Sequence, residues 1–229
     1  MELRQYHVIN TQKISTAFFI LACMFYFNNW SIEAYIYLVM HGSYGFCWMI
    51  KHFCFPSAST FKAVDTPVFI VLVILLFVLY WGIPILAISN KNPASSPFLA
   101  MCCTMYIFGL VIMLVSDCQM YFSLKYNPGK LITTGCFSMV RQPNYAGEIL
   151  LYLSICLLSR SWASFLLFGI GFVVVIYPTM INKEKRLSRY PEWKEYSDRT
   201  GICLPPPKRV LDWISSELAV GSVNDAKNK

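Results

Sequence analysis

The sequence specifies an all-α fold, a polytopic membrane bundle of about six transmembrane helices, and three observations carry that expectation. Its 229 residues are 56% hydrophobic and only 14% charged, against about 25% charged residues in an average soluble domain. Long stretches lack charge at lengths near the ~20 residues that a helix needs to cross hydrocarbon. Finally, the cations are distributed very unevenly between the two sides such a bundle would have. One integral domain over residues 1–207 accounts for this length, with residues 208–229 as a cytosolic tail.

Four charge-free runs come first, Ile14–Ile32, Ala34–Ile50, Thr66–Ile88 and Phe98–Ser116. Two shorter ones follow, Ala146–Leu158, interrupted by Glu148, and Trp162–Ile181, and only Ser159, Arg160 and Ser161 separate them, so they read as a tight helical hairpin. With six spans, seventeen of the nineteen lysines and arginines fall on one side, including Arg4, Lys13, Lys51, Lys62 and Arg141, while Lys91 and Arg160 fall on the other. Translocated loops are poor in Lys and Arg, so both termini are expected in the cytosol. The lipid bilayer is thus a partner, and the net charge of +7 needs no nucleic acid.

The nine cysteines are odd in number and lack Cys/His metal spacing, which gives no support to a disulfide framework or a zinc site. The N-terminal run has no small-residue cleavage site and reads as a retained first span. Asn29-Trp30-Ser31 matches a glycosylation sequon, but its loop is too short and too close to the membrane, so the match reads as chance. A short interfacial helix is expected around Val210–Leu218, and lysines at 227 and 229 give a weak retrieval signal for the endoplasmic reticulum. No nucleophile elbow or Ser, His, Asp constellation appears with only three histidines, which argues against a hydrolase.

The polar segment between the fourth and fifth spans concentrates the chemistry. It starts with Asp117 and Gln119 and ends in VRQPNYAGE, where Pro143 marks the first turn of the next helix. Arg141 precedes free backbone N–H groups at that helix start, a corner suited to phosphate. Asn144 and Glu148, four apart, share a helical face. A charge within a span costs at least ~2.5 kcal/mol, so Glu148 should point into the bundle and have a partner there. The plainer alternative is a headgroup-level Arg141 and a Glu148 that merely pairs with a neighbouring helix. In the second span, His41 and Tyr44 share a face, with Gly42 and Gly45 allowing close approach of another helix or a flat ligand. After the sixth span, Tyr190, Trp193 and Tyr196 recur every three residues among alternating charges, as an amphipathic juxtamembrane helix also would.

Asp117-x-Gln119, Gly135-x-Phe137, Arg141-x-Pro143-Asn144-Tyr145-x-Gly147-Glu148 and Lys183-Glu184-Lys185-Arg186, with Tyr190, Trp193, Tyr196 and Arg199, together resemble the C-terminal catalytic half of the steroid 5-alpha-reductase and sterol-reductase superfamily over residues 100–207. The resemblance implies a membrane reductase that binds NADPH from the cytosolic side without a dinucleotide fold. Gly169-Ile170-Gly171 lies mid-span and reads as helix packing. By motif position, Asp117, Gln119, Arg141, Asn144, Tyr145 and Glu148 would hold nicotinamide, ribose or pyrophosphate. Arg186, Tyr196 and Arg199 would close the cofactor pocket. The implied reaction reduces a carbon–carbon double bond in a lipophilic sterol- or enone-like substrate.

The chain departs from the superfamily where the reductases carry a polarising Glu and Tyr in the N-terminal half. That half offers only Glu33 and Asp65 beyond Glu2, so His41 and Tyr44 are the catalytic candidates. Related isoprenylcysteine carboxyl and phospholipid N-methyltransferases use S-adenosylmethionine and share R-x-P-x-Y-x-G, which Arg141, Pro143, Tyr145 and Gly147 also satisfy. Against them, Glu184 is followed by Lys185 where paired acids are expected. A non-enzymatic lipid or sterol sensor on the same fold is the third alternative.

Overall fold

The computed structural model describes residues 4–56, 65–212 and 215. Lys62, the lysines at 227 and 229 and most of the expected 210–218 helix lie outside them. Nine α-helices are described: α1 Gln5–Phe27, α2 Ile32–Cys54, α3 Thr66–Ile74, α4 Tyr80–Ser89, α5 Ser96–Tyr126, α6 Pro143–Ser159, α7 Trp162–Gly171, α8 Tyr177–Leu187 and α9 Trp193–Arg199. Wide π-helical segments, Leu75–Leu79 and Phe172–Ile176, join α3 to α4 and α7 to α8. Six rods therefore run up and down the bundle at the positions of the six expected spans.

Three rods, Gln5–Phe27, Ser96–Tyr126 and Trp162–Leu187, are long and apolar enough to cross a membrane, and Phe77–Ser89 is a shorter apolar helix. The protein is an integral membrane bundle. Its rim is apolar as well: Phe25, Phe46, Phe108 and Val173 are exposed, where acyl chains rather than water satisfy them. The π segments precede Pro84 and Pro178 within about two turns, and widened turns of this kind bend a helix without breaking it.

The core runs from Ile20 and Met24 of α1 through Tyr37 and Tyr44 of α2 and Ile83 of α4 to Met113 of α5 and Leu151 and Ile155 of α6. The most extensive interface joins α5 to α6, while α1 packs on α2 and α4. Two glycines permit the α5–α6 crossing, since a Cβ on Gly147 would stand 2.5 Å from the Gly109 carbonyl oxygen. Gly45 does the same for α1 and α2, because a Cβ there would stand 2.5 Å from the Lys13 carbonyl oxygen. By contrast, a Cβ on Gly169 or Gly171 would meet nothing within 4 Å, so those two are not packing glycines as the sequence suggested.

One end of the bundle is stitched by short side-chain-to-backbone contacts. Asn29 Nδ2 donates to Ile88 O (2.7 Å), Asn90 Nδ2 to Ser159 O (3.2 Å) and Arg160 Nη1 to Pro93 O (2.9 Å), while Glu33 Oε1 accepts from Ala94 N (2.7 Å). Asn29 is thus a buried helix-end clip, which agrees with a chance sequon. Arg160 ends α6 in the left-handed region (φ 51°) and closes the expected hairpin.

Several boundaries differ from the charge pattern: the first helix ends at Phe27 rather than Ile32, and the second and last rods run on to Cys54 and Leu187. The first helix starts at Gln5, so Lys13 lies within it rather than ahead of it, and the fourth rod continues past Asp117 to Tyr126. Charges mark where hydrocarbon ends, whereas a helix ends only where its backbone bonds do.

Candidate functional site

At the other, charged end, the polar residues of the sequence motif form two connected layers. The outer layer is a strap. Val140 pairs with Gly201 in an isolated parallel bridge, and Arg141 N and Gln142 N donate to Gly201 O and Ile202 O at 2.8 and 2.9 Å. Arg141 Nε donates to Glu184 Oε2 at 2.9 Å, and its Nη1 reaches Ser197 O at 3.1 Å and the Thr200 carbonyl. Its guanidinium lies 5.3 Å from the Trp193 ring centroid. Gln142 Nε2 donates to the other Glu184 oxygen at 2.7 Å. Tyr196 is buried and donates to Phe137 O at 2.8 Å, and burial pushes its phenol up to about 12, so it is a neutral donor.

Arg141, Tyr196 and Glu184 therefore build a wall, tying α6 to α8 and α9. Gln119 belongs to the same layer and fastens the 134–136 turn, its Nε2 donating to Thr134 O (2.8 Å) and its Oε1 accepting from Cys136 N (2.9 Å). Arg186 is exposed. Arg199 is exposed as well and stands 3.9 Å from Glu195. Neither arginine is drawn into the interior beside Glu148.

The inner layer is built on α6. Asn144 Oδ1 accepts from Lys183 Nζ at 3.1 Å, and that ammonium lies 5.6 Å from the Tyr145 ring centroid. Asp117 on α5 is buried and forms an ion pair with Lys51 of α2. One turn inward from Asn144, Glu148 meets the second span: Tyr44 OH donates to Glu148 Oε1 at 3.2 Å, and Tyr152 OH donates to Tyr44 OH at 3.3 Å. The expected partner of Glu148 is thus Tyr44. His41 is also buried, 5.1 Å ring to ring from both Tyr37 and Tyr80, with neither nitrogen hydrogen-bonded. It does not touch the Tyr44–Glu148 pair by hydrogen bond, so the structure joins only Tyr44 to the motif.

Sequence reasoning missed three members, Lys13, Tyr80 and Tyr152. Lys13 of α1, counted there among the cytosolic cations, is only 5% exposed. Its Nζ donates to Tyr152 OH (2.9 Å) and Tyr80 OH (3.2 Å) and sits 4.3 Å from the ring centroids of both Tyr44 and Tyr80. Its position one residue before the apolar run hid it. Tyr152 stands four residues after Glu148 and so on its face, the signal that could have found it.

Residues 30–200 match the family model described as "Protein of unknown function (DUF1295)". The chain belongs to the DUF1295 family. The DUF1295 match runs from the start of α2 to the end of α9, so it includes Tyr44, Asp117, Arg141 and Glu148 but not Lys13. Among curated proteins, the DUF1295 chain is similar to the cobalt-zinc-cadmium resistance protein CzcN of Cupriavidus metallidurans, with 32% identity over 90 residues, covering 38% of this chain and 41% of that protein. The alignment thus spans less than half of that relative. Among the described residues, no cluster of three or more His, Cys, Asp or Glu side chains could hold a metal ion.

Proposed function

We propose that the protein is a membrane-embedded, NADPH-dependent reductase of a carbon–carbon double bond in a lipophilic, sterol- or enone-like substrate. The observation that carries this reading is Tyr44, a phenol held inside an apolar bundle between the Glu148 carboxylate and a second phenol, Tyr152. Such a group can polarise a substrate oxygen and give up a proton that Tyr152 replaces. The contact between Tyr44 of α2 and Glu148 of α6 supports Tyr44, of the two candidates His41 and Tyr44, as the N-terminal polarising group. Kinship of the DUF1295 family with steroid 5-alpha-reductase-like proteins supports it.

When bound, a nicotinamide cofactor supplies the hydride. The residues present fit it in part. Asn144 and Glu148 share one face of α6, and Glu148 Oε2 has no donor among the described residues, which suits a carboxamide or ribose hydroxyl. Lys183 and the exposed Arg186 are the cations for its phosphates. Arg141 would shape the wall rather than grip pyrophosphate directly, because its Nε and Nη1 are already engaged. On this reading the charged end and both termini face the cytosol, in the endoplasmic reticulum if the cell is eukaryotic.

That engagement of Arg141 is also what favours a second reading, an S-adenosylmethionine-dependent methyltransferase, since S-adenosylmethionine carries no phosphate. Thermal-shift comparison of NADPH and S-adenosylmethionine on purified full-length protein separates the two. Stabilisation by NADPH is expected, with Tyr44→Phe abolishing NADPH oxidation by an enone sterol while leaving that stabilisation in place. Stabilisation by S-adenosylmethionine alone would overturn the reductase.

A further inference from the structure

Among the lysines and acids in the interior of the charged half of the bundle, Lys51 and Asp117 pair with one another, while Lys13 and Glu148 do not touch. Among the described residues no carboxylate lies within 4 Å of Lys13 Nζ. An ammonium this deep in a membrane bundle demands compensation. Once Asp117 is assigned to Lys51, Glu148 is the acid left for Lys13.

The space between them is filled by hydroxyls. Lys13 Nζ donates to Tyr152 OH at 2.9 Å, Tyr152 OH to Tyr44 OH at 3.3 Å, and Tyr44 OH to Glu148 Oε1 at 3.2 Å. Every donor in this row points the same way. Tyr80 OH is a second acceptor for the ammonium, and the Tyr44 and Tyr80 rings present their faces to it at 4.3 Å, an arrangement that stabilises a cation. Gly45 brings α1 close enough for this, since any side chain there would strike the Lys13 carbonyl.

We propose that Lys13 and Glu148 form an ion pair bridged by Tyr152 and Tyr44, and that Lys13 is the positioning residue that keeps Glu148 ionised and Tyr44 oriented as a proton donor. The charge pair stands by itself; its use in protonating substrate rests on the reductase reading. In that use the substrate oxygen takes the place of Glu148 Oε1 as acceptor of the Tyr44 hydrogen bond; the Tyr44 proton then goes to the substrate, the Tyr152 proton to Tyr44 and one ammonium proton to Tyr152. Lys13 is left neutral until it is reprotonated. The groups around this row are Lys13 on α1, His41, Tyr44 and Lys51 on α2, Tyr80 on α4, Asp117 on α5, and Tyr145, Glu148 and Tyr152 on α6.

Infrared difference spectroscopy on the cofactor-free, full-length protein tests the pair, with Glu148→Gln identifying the Glu148 bands. At neutral pH the wild type is expected to show Glu148 as a carboxylate. Lys13→Met converts it to a protonated carboxyl, and Lys13→Arg restores the carboxylate. A Glu148 band that is the same in wild type and Lys13→Met, or a protonated carboxyl in the wild type, overturns the proposal. Should Lys13→Met fail to fold, wild type against Glu148→Gln still decides. No cofactor is present, so a failure of NADPH to bind would strike the reductase reading alone.

Discussion

Replacing Gly147 by alanine tests whether the α5–α6 crossing holds the site in register. The added Cβ would stand 2.5 Å from Gly109 O and 2.6 Å from Met113 N, where ordinary contact begins at 3.4 Å. Both obstacles are backbone, so no side chain can swing aside and the helices must part by about 0.9 Å, the difference between 3.4 and 2.5 Å. Overpacking of this kind costs ~1–3 kcal/mol. The same displacement exceeds the slack in the 3.2 Å Tyr44–Glu148 bond, since hydrogen bonds fade beyond ~3.5 Å. Reversible unfolding in mixed detergent micelles measures the first effect and NADPH thermal shift the second. The control is Gly169→Ala, where the new methyl meets nothing within 4 Å; no loss is expected there. A Gly147→Ala protein as stable as the control would refute the argument.

Two further outcomes follow from the outer layer. Arg141→Lys keeps the charge but cannot hold Glu184, Ser197 O and the Thr200 carbonyl at once, so exchange of the strap's donating amides, Gln142 and Gly201, should accelerate at least ~10-fold, as a loss of ~1.4 kcal/mol would give. Hydrogen-exchange mass spectrometry reads this directly. Cys203 lies under the strap, and burial pushes its thiol up to about 11. Because only the thiolate reacts, alkylation of Cys203 should be slow at neutral pH and rise about tenfold per pH unit up to that range, as followed by peptide mapping.

The six rods were legible because hydrophobic length and cation asymmetry are both set by the bilayer, and the starts of α6 and α7 were legible from Pro143 and the Ser159–Ser161 break. Glu148 was legible as an inward residue on solvation grounds alone. What the sequence hid depends on contacts between distant segments. Arg141 reads as a phosphate ligand until Glu184, 43 residues later, turns out to occupy it. Lys13 reads as a surface cation because its neighbours Tyr44, Tyr80 and Tyr152 come from three other helices. The packing glycines were legible at Gly45 and misread at Gly169 and Gly171, since a small residue does not reveal whether it faces a helix or lipid.

The side-chain-to-backbone stitching opposite the site has a mechanical consequence. The connections there are short, residues 28–31, 90–95 and 160–161, whereas 127–142 form the long connection at the charged end. The bundle is therefore put together like a clothes-peg, sewn at the end with short loops and clasped at the other by side chains from distant segments, Arg141 with Glu184 and Lys51 with Asp117.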